Sequence, residues 1–233
     1  MFFSSKGGGS ESFNMEFYAS VATENHALLL ISPDCDCSAQ LLQDLTQLLQ
    51  ESALASLEVV NIAVDPDRAR RINLRAVPWL RLGEFEFEGG ISTQELRSWV
   101  TLLNTEEGII KYLKRELQSG SLLRLEKLLA ESPHWGQQVL ALLQEEALPL
   151  PLRLSAEALM EALHGQEALT MMVPSLIEWL ASSNPHHRRD ALRYLSLSGE
   201  MKIIPLVRAA VHDSNEEVAE MAEECLDILL NGL

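Results

Sequence analysis

The residues of this sequence best suited to chemistry are two cysteines separated by one residue, Cys35 and Cys37. They follow an apolar run, Ala27 to Ile31, and precede leucines at helical spacing, so Cys35 is predicted to lie at the N-terminus of a helix. The backbone N–H groups and the dipole at such a terminus favour a thiolate, which is the form that attacks disulfides. We therefore expect a reactive thiol at Cys35, although Asp34 and Asp36 are predicted to oppose this effect by raising its pKa.

A disulfide between these cysteines would close a ring over a single residue. Good torsions and a short Cα separation are hard to reach together in so small a ring, so strain makes such a bond oxidising and easily reduced. Isomerase or oxidase chemistry is therefore favoured over reduction. Metal capture is an alternative, but two thiolates provide only half of the ligands that zinc prefers, so no metal and no cofactor is predicted. Cys225 is predicted to be a packing residue on a helical face.

The segments around the cysteines predict an α/β domain over residues 1–104. Continuous apolar runs indicate strands buried on both faces, and Ser92 or Thr93 is placed to cap the last helix. The predicted elements are a strand at Met1–Ser5, a helix near 13–21, a strand at Ala27–Ile31, a helix over 41–49, a second buried strand at Leu57–Val64, a short basic helix at Arg68–Ile72, a strand from Ala76 to Gly83, its return strand at Glu84–Glu88, and a helix at Ser92–Leu103.

This order resembles the thioredoxin superfamily over residues 1–103. Cys35 precedes Pro78 by 43 residues, close to the separation in that family between the nucleophilic cysteine and a cis-proline. The resemblance implies a cis Val77–Pro78 bond beside the thiols, with Cys35 as nucleophile and Cys37 as the resolving group. It also implies that Val77, Pro78 and Trp79 form a groove for an extended peptide. Core packing is an equal alternative for Trp79.

The motif departs from the family at the site itself. One residue rather than two separates the cysteines, and the leucine register places Ser38 at the family's resolving position. The site therefore reads either as a Cys-x-Cys pair or as a Cys-x-x-Ser monothiol site. The usual Trp and Gly-Pro of the motif are absent, and Leu29 stands where the family has a buried acid. These departures argue against a fast general reductase and leave open that the cysteines are relics in a fold kept for binding.

Beyond Glu106 the sequence predicts only helices, with an internal repeat. When the sequence is aligned with itself at an offset of 31 residues, Pro174–Asn184 matches Pro205–Asn215, with Pro, Ser and Asn at equivalent positions. Each unit is predicted to be a helix, a Ser-Asn turn whose Asn caps, and a second helix carrying a small Ala.

These units, over residues 150–233, resemble HEAT-type repeats of the short, lyase-associated kind. The resemblance implies an all-α stack whose concave surface binds protein partners. Residues 105–149 are predicted to form a helical connector. The last unit lacks the family's usual Asp and Val-Arg pair, so its binding ridge does not carry over. A simpler alternative is that these helices shield the first domain.

Composition limits the partners. Lys and Arg number 18 against 34 Asp and Glu, which gives a net charge of −16, and a field of that sign repels nucleic acid and anionic lipid. The sequence shows no apolar run of spanning length, no signal-peptide core and no spread cysteine framework, so a cytoplasmic protein is predicted. The basic cluster His186–Arg189 is expected to be solvated, to pair with an acidic neighbouring repeat, or to contact an acidic partner.

Two functions are consistent with these patterns. In the first, the protein exchanges thiols and disulfides with a protein client that the helical repeats select. In the second, the thioredoxin-like domain is a non-catalytic docking module, and the chain is an adaptor or assembly factor. The sequence does not reveal the client or the oligomeric state.

Overall fold

A computed structural model describes residues 25–72 and 74–232, with Asp36 described by its backbone alone. The predicted strand at Met1–Ser5 and helix near 13–21 lie outside the described residues. The chain divides into two compact units, the first ending at Gly108 and the second beginning at Ile109. Among the described residues, no helix has the length and apolar character needed to cross a membrane.

The first unit is built on a four-stranded mixed sheet with the order β2-β1-β3-β4. β1 pairs in parallel with β2 and antiparallel with β3, and β3 pairs antiparallel with β4. The elements are β1 (His26–Ile31), α1 (Asp36–Gln50), β2 (Ser56–Asn61), α2 (Pro66–Arg71), β3 (Trp79–Leu82), β4 (Phe85–Glu88) and α3 (Thr93–Thr101). An α/β unit followed by helices is therefore confirmed.

The two parallel strands differ in burial. β1 lies between two neighbours in the sheet, and its Leu29 and Leu30 are fully buried, as a continuous apolar run predicts. β2 lies at one edge of the described sheet, where Val59 is 40% exposed. The prediction of a second buried strand is therefore wrong, because this strand lacks a described neighbour on one side.

Polar contacts tie α1, the helix that follows the cysteines, to α3. Asp44 on α1 is almost buried and accepts hydrogen bonds from Thr93 Oγ1 at 2.7 Å and from Gln40 Nε2 at 3.0 Å. Further along, the guanidinium of Arg97 donates to both carboxylate oxygens of Glu51, at 2.7 and 2.9 Å. Ser92 Oγ accepts from the backbone N–H of Glu95 and caps α3, which confirms one of the two caps predicted there.

The second unit is helical throughout its described residues. Short 3₁₀ turns precede two of its helices, at Pro133–Trp135 and Met201–Ile203. The helices are α4 (Glu106–Ser119, beginning at the end of the first unit), α5 (Leu122–Glu131), α6 (Gly136–Gln144), α7 (Leu150–Ala162), α8 (Glu167–Trp179), α9 (Pro185–Ser198), α10 (Ile204–Ala210) and α11 (Glu216–Asn231). The helices predicted as a connector belong largely to the same compact unit as the later ones.

The internal repeat appears as two successive helix pairs, α8 with α9 and α10 with α11. Asn184 Oδ1 accepts from the N–H of His186 and caps α9, and Asn215 Oδ1 accepts from the N–H of Val218 and caps α11. These hydrogen bonds confirm the predicted Asn caps. The two alanines that the repeat aligns, Ala191 and Ala222, are both fully buried, as expected where helix backbones approach closely.

The basic cluster at the start of α9 is paired within the unit. Arg188 donates from Nε and a terminal nitrogen to the two carboxylate oxygens of Asp213, at 2.8 and 2.7 Å, and from its other terminal nitrogen to the Ser182 carbonyl at 2.9 Å. Arg189 donates to Glu217 at 3.1 Å. The predicted pairing between neighbouring repeats is therefore confirmed for both arginines. Arg188 lowers the pKa of the Asp213 carboxyl by hydrogen bonding.

Candidate functional site

The nucleophile candidate, Cys35, occupies the N-cap position of α1. Its backbone N–H donates to the Ser32 carbonyl at 3.2 Å, which closes the turn after β1, and its own carbonyl accepts from the Ser38 N–H at 3.0 Å. The residue has extended backbone angles and a half-buried side chain. The prediction that strand β1 delivers Cys35 to a helix N-terminus is confirmed.

The first turn of α1 stabilises the Cys35 thiolate. The pKa of Cys35 is lowered, first by the Ser38 hydroxyl, which can donate to the sulfur in its ionised form, and then by the backbone N–H groups of Ser38 and Cys37 and the Cys37 side chain. Partial desolvation acts in the opposite direction, because it disfavours the charged form. The helix donors prevail over this opposing effect, so the sulfur is more readily ionised than an ordinary cysteine.

The hydrogen-bonding capacity of the Ser38 hydroxyl favours the ionised form of the Cys35 thiol. It is 4% exposed, and within the described part of the chain its oxygen has no hydrogen-bond partner of ordinary geometry. In this arrangement the Cys35 thiol donates instead to the Val77 carbonyl, with 3.6 Å between sulfur and oxygen. Loss of the thiol proton removes that donor and turns the sulfur into an acceptor, so the buried hydroxyl then gains its natural partner. We therefore expect the Ser38 hydroxyl to donate to the ionised sulfur of Cys35.

The segment before β3 lies against the nucleophile through the carbonyl of Val77, one of the residues that the resemblance places there. The Val77–Pro78 peptide bond is cis, Val77 is half-buried, and Pro78 is buried. Trp79 differs. Its side chain is 2% exposed, it pairs with Leu30 and Glu88 across the sheet, and the Arg81 guanidinium lies 5.3 Å from its ring centroid. Of the two alternatives for Trp79, the structure shows core packing, so its ring is inaccessible to a peptide.

Cys37 is exposed on the first turn of α1, and both cysteines of the pair are free thiols. Gly90, in the connection between β4 and α3, approaches it closely: a Cβ placed on Gly90 would lie 3.8 Å from the Cys37 sulfur. Sequence reasoning missed this contact, although the Gly89-Gly90 pair after the hairpin was its visible signal. Cys225, by contrast, is fully buried, and burial raises its pKa to about 12, which confirms the predicted packing role.

A groove of about 450 Å³ adjoins the thiol site through Val77. Two exposed arginines, Arg70 and Arg75, also line it. Its apolar lining comes from Ile62, Ala69, Leu74, Ala76 and Val77. Of the three residues that the resemblance placed in a groove, only Val77 lines this one. The sequence did not predict the other lining residues, because they come from the end of β2, from α2 and from the loop after it, which come together only through folding.

Ser38→Ala is expected to raise the pKa of Cys35 and to slow its alkylation at neutral pH. The substitution removes the leading donor to the thiolate, so a larger fraction of Cys35 is protonated at neutral pH. The alkylation rate at pH 7 should therefore fall roughly three- to tenfold, as expected for the loss of one hydrogen bond to a charged group. The measurement is the rate of iodoacetamide modification of Cys35 against pH, whose midpoint should move upward. Ser196→Ala, which removes another buried serine hydroxyl, is the matched control and should leave the profile unchanged. An unshifted midpoint in Ser38→Ala would contradict the donor role.

Within the described residues, no group of three or more His, Cys, Asp or Glu side chains is placed to hold a metal ion. The fold and site together define an α/β unit with a cysteine pair at a helix N-terminus, followed by a helical unit. No protein-family model matches this chain, and no curated protein matches it.

Proposed function

We propose that this protein exchanges thiols and disulfides with a specific protein client. The observation that carries the proposal is the placement of Cys35: it is half-buried at the N-cap of α1, its pKa is lowered by donors of the first helical turn, and its sulfur lies 3.6 Å from the Val77 carbonyl. A lowered pKa in a reachable thiol is the property that distinguishes reactive cysteines from structural ones.

The proposal includes two fold assignments. Residues 1–104 form a thioredoxin-like domain, supported by the β2-β1-β3-β4 strand order, the cysteine at the head of α1 and the cis-proline beside it. Residues 150–233 form HEAT-like repeats that select the client, supported by the Asn-capped helix pairs at a spacing of 31 residues. The helical unit also has a groove of about 370 Å³, lined in part by Gln137, Ser175, Trp179 and His187.

The proposed exchange takes place in two steps, each of which conserves atoms and electrons. The Cys35 thiolate attacks one sulfur of a client disulfide, that S–S bond breaks, and the other client sulfur leaves as a thiolate that takes a proton from water. The Cys37 thiolate then attacks the Cys35 sulfur, which releases the first client sulfur and forms the Cys35–Cys37 disulfide. The client gains two electrons and the protein loses two, and the reverse sequence oxidises a client dithiol.

Isomerisation needs only the first step and its reversal on a different client sulfur, so it has no net redox change. Oxidation and reduction need a co-reactant that resets the cysteine pair, and a small-molecule thiol–disulfide couple of the glutathione type supplies it. A disulfide closed over one residue is strained and oxidising. Isomerase or oxidase activity is therefore the form of exchange that this pair favours.

A non-catalytic docking module is the second candidate. It is favoured by Leu29, which is fully buried on β1 where the resemblance implies a proton-shuttling acid. A leucine moves no proton, so the second step would depend on water to deprotonate Cys37. In this alternative the whole chain acts as an adaptor or assembly factor, and the thiols have no client.

The redox midpoint of the Cys35–Cys37 pair tests the proposal. The full-length protein is equilibrated across a series of glutathione ratios, quenched, and alkylated to count free thiols at each cysteine. We expect a two-electron transition at an oxidising potential and, in Cys37→Ser, a persistent mixed disulfide between Cys35 and glutathione. Cysteines that stay reduced throughout, with no mixed disulfide trapped, would overturn thiol exchange in favour of docking.

A further inference from the structure

We propose that the groove beside Val77 binds an acidic segment of the client, so that Cys35 reacts preferentially with disulfides flanked by Asp or Glu. The inference rests on the proposed function, because it names the substrate class of the same site. It goes further in that it assigns a charge selectivity that neither the cysteine motif nor the fold contains.

The groove is continuous with the thiol site. Val77 contributes to the lining of the groove, and its carbonyl accepts a hydrogen bond from the Cys35 thiol. A peptide whose sulfur reaches Cys35 therefore has its neighbouring residues at the groove. The apolar lining, from Ile62, Leu74 and Ala76 among others, suits an extended peptide with one apolar side chain rather than a free ion.

The charged groups that line the groove are both positive. Arg75 is exposed and makes no ion pair with any residue in the described part of the chain. Arg70 pairs with Asp67 at 2.6 Å, but the two side chains are 76% and 68% exposed, and so exposed a pair contributes little. A client carboxylate can therefore replace Asp67 as the partner of Arg70. Among the described residues, the lining of the groove includes no carboxylate.

Two carboxylates on β2 and at the start of α2 are engaged by Arg68. Asp65 caps α2 by accepting from the Arg68 N–H at 3.2 Å, and Glu58 accepts from the Arg68 side chain at 2.9 Å. Asp34 is exposed in the turn before Cys35 and does not line the groove. The charges that the described residues place on the groove lining are thus positive, in a protein whose net charge is −16. That net charge repels a long polyanion such as nucleic acid, whereas one or two peptide carboxylates interact mainly with the two arginines at short range.

The test uses short peptides with a single cysteine activated as a 2-thiopyridyl disulfide. Three versions differ only in the residues flanking the cysteine, which are Glu, Gln or Lys, and release of pyridine-2-thione reports attack by Cys35 of the full-length protein. At low ionic strength we expect the Glu peptide to react about three- to tenfold faster than the Gln peptide, as two exposed ion pairs allow. The Lys peptide should be slowest, and added salt should reduce the differences.

Arg70→Gln combined with Arg75→Gln should remove the preference, while Arg208→Gln, which removes a positive charge from the helical unit, should leave it intact. The rate of reaction with neutral 2,2′-dithiodipyridine measures the reactivity of Cys35 toward a reagent that does not use the groove. This rate should be unchanged in all variants. If the wild-type protein reacts with this reagent no faster than free glutathione does, the proposed function fails. If it reacts rapidly but the Glu and Gln peptides are equal, or if the preference survives loss of both arginines, only the acidic-client inference is overturned.

Discussion

Cys35→Ser is expected to abolish mixed-disulfide formation at position 35, because a serine hydroxyl is not ionised near neutral pH, and to lower the overall rate roughly tenfold, since only the exposed Cys37 thiol remains to attack. The sulfur that it removes is the one whose pKa is lowered by Ser38 and the first-turn N–H groups. Pyridine-2-thione release from an activated disulfide, followed in excess reagent, measures the first step directly.

Cys37→Ser is the matched comparison. It should retain the first attack, because Cys35 keeps its principal donor, but the mixed disulfide should persist instead of resolving. Cys225 is an internal control in every variant, since its burial and raised pKa should leave it unmodified while the protein is folded. Rapid exchange by Cys35→Ser would show that the exposed Cys37 is the nucleophile and would contradict the assignment.

Trp99→Ala is expected to destabilise the first unit by about 3–5 kcal/mol, the usual cost of truncating a buried aromatic residue. Trp99 on α3 is 2% exposed and lies across the two rings of β4, with ring centroids 5.5 Å from Phe85 and 5.3 Å from Phe87. Removing the indole leaves a cavity between the helix and the sheet that rigid neighbours fill only in part.

Urea denaturation of the full chain measures this loss. The two units can unfold in separate transitions, so the near-ultraviolet signal is followed together with alkylation of the buried Cys225, which reports unfolding of the second unit alone. Val64→Ala, in the same unit but at a side chain 81% exposed, is the control and should change the free energy of unfolding by less than about 0.5 kcal/mol. A comparably small change in Trp99→Ala would contradict the packing of α3 on β4.

Local sequence patterns predicted the features that depend on neighbouring residues. The apolar run of β1 and the leucines of α1 placed Cys35 at a helix start, and the repeat placed caps at Asn184 and Asn215, because strand, helix and cap signals act over a few residues. The family resemblance, rather than any local rule, supplied the cis bond before Pro78.

Features that depend on strand pairing were harder to predict. Trp79 could face either the groove or the core until its pairing with Leu30 fixed which side of β3 it occupies, since a shift of one residue reverses the face. The exposure of Val59 likewise follows from the place of β2 at an edge of the sheet that the described strands form, which the sequence of β2 does not encode. The sequence placed Arg70 only in a short basic helix and did not single out Arg75, because the groove that the two residues line exists only in the folded chain.

The link between Arg188 and Asp213 makes the last two helix pairs depend on each other. Arg188 belongs to the start of α9, Asp213 to the turn before α11, and the same guanidinium also holds the carbonyl at Ser182. If α11 and its turn detached, this half-buried cation would keep its backbone acceptor but lose its counter-charge. Unfolding from the C-terminus therefore cannot proceed helix by helix, and the two pairs are expected to melt and exchange their amide hydrogens as one cooperative block.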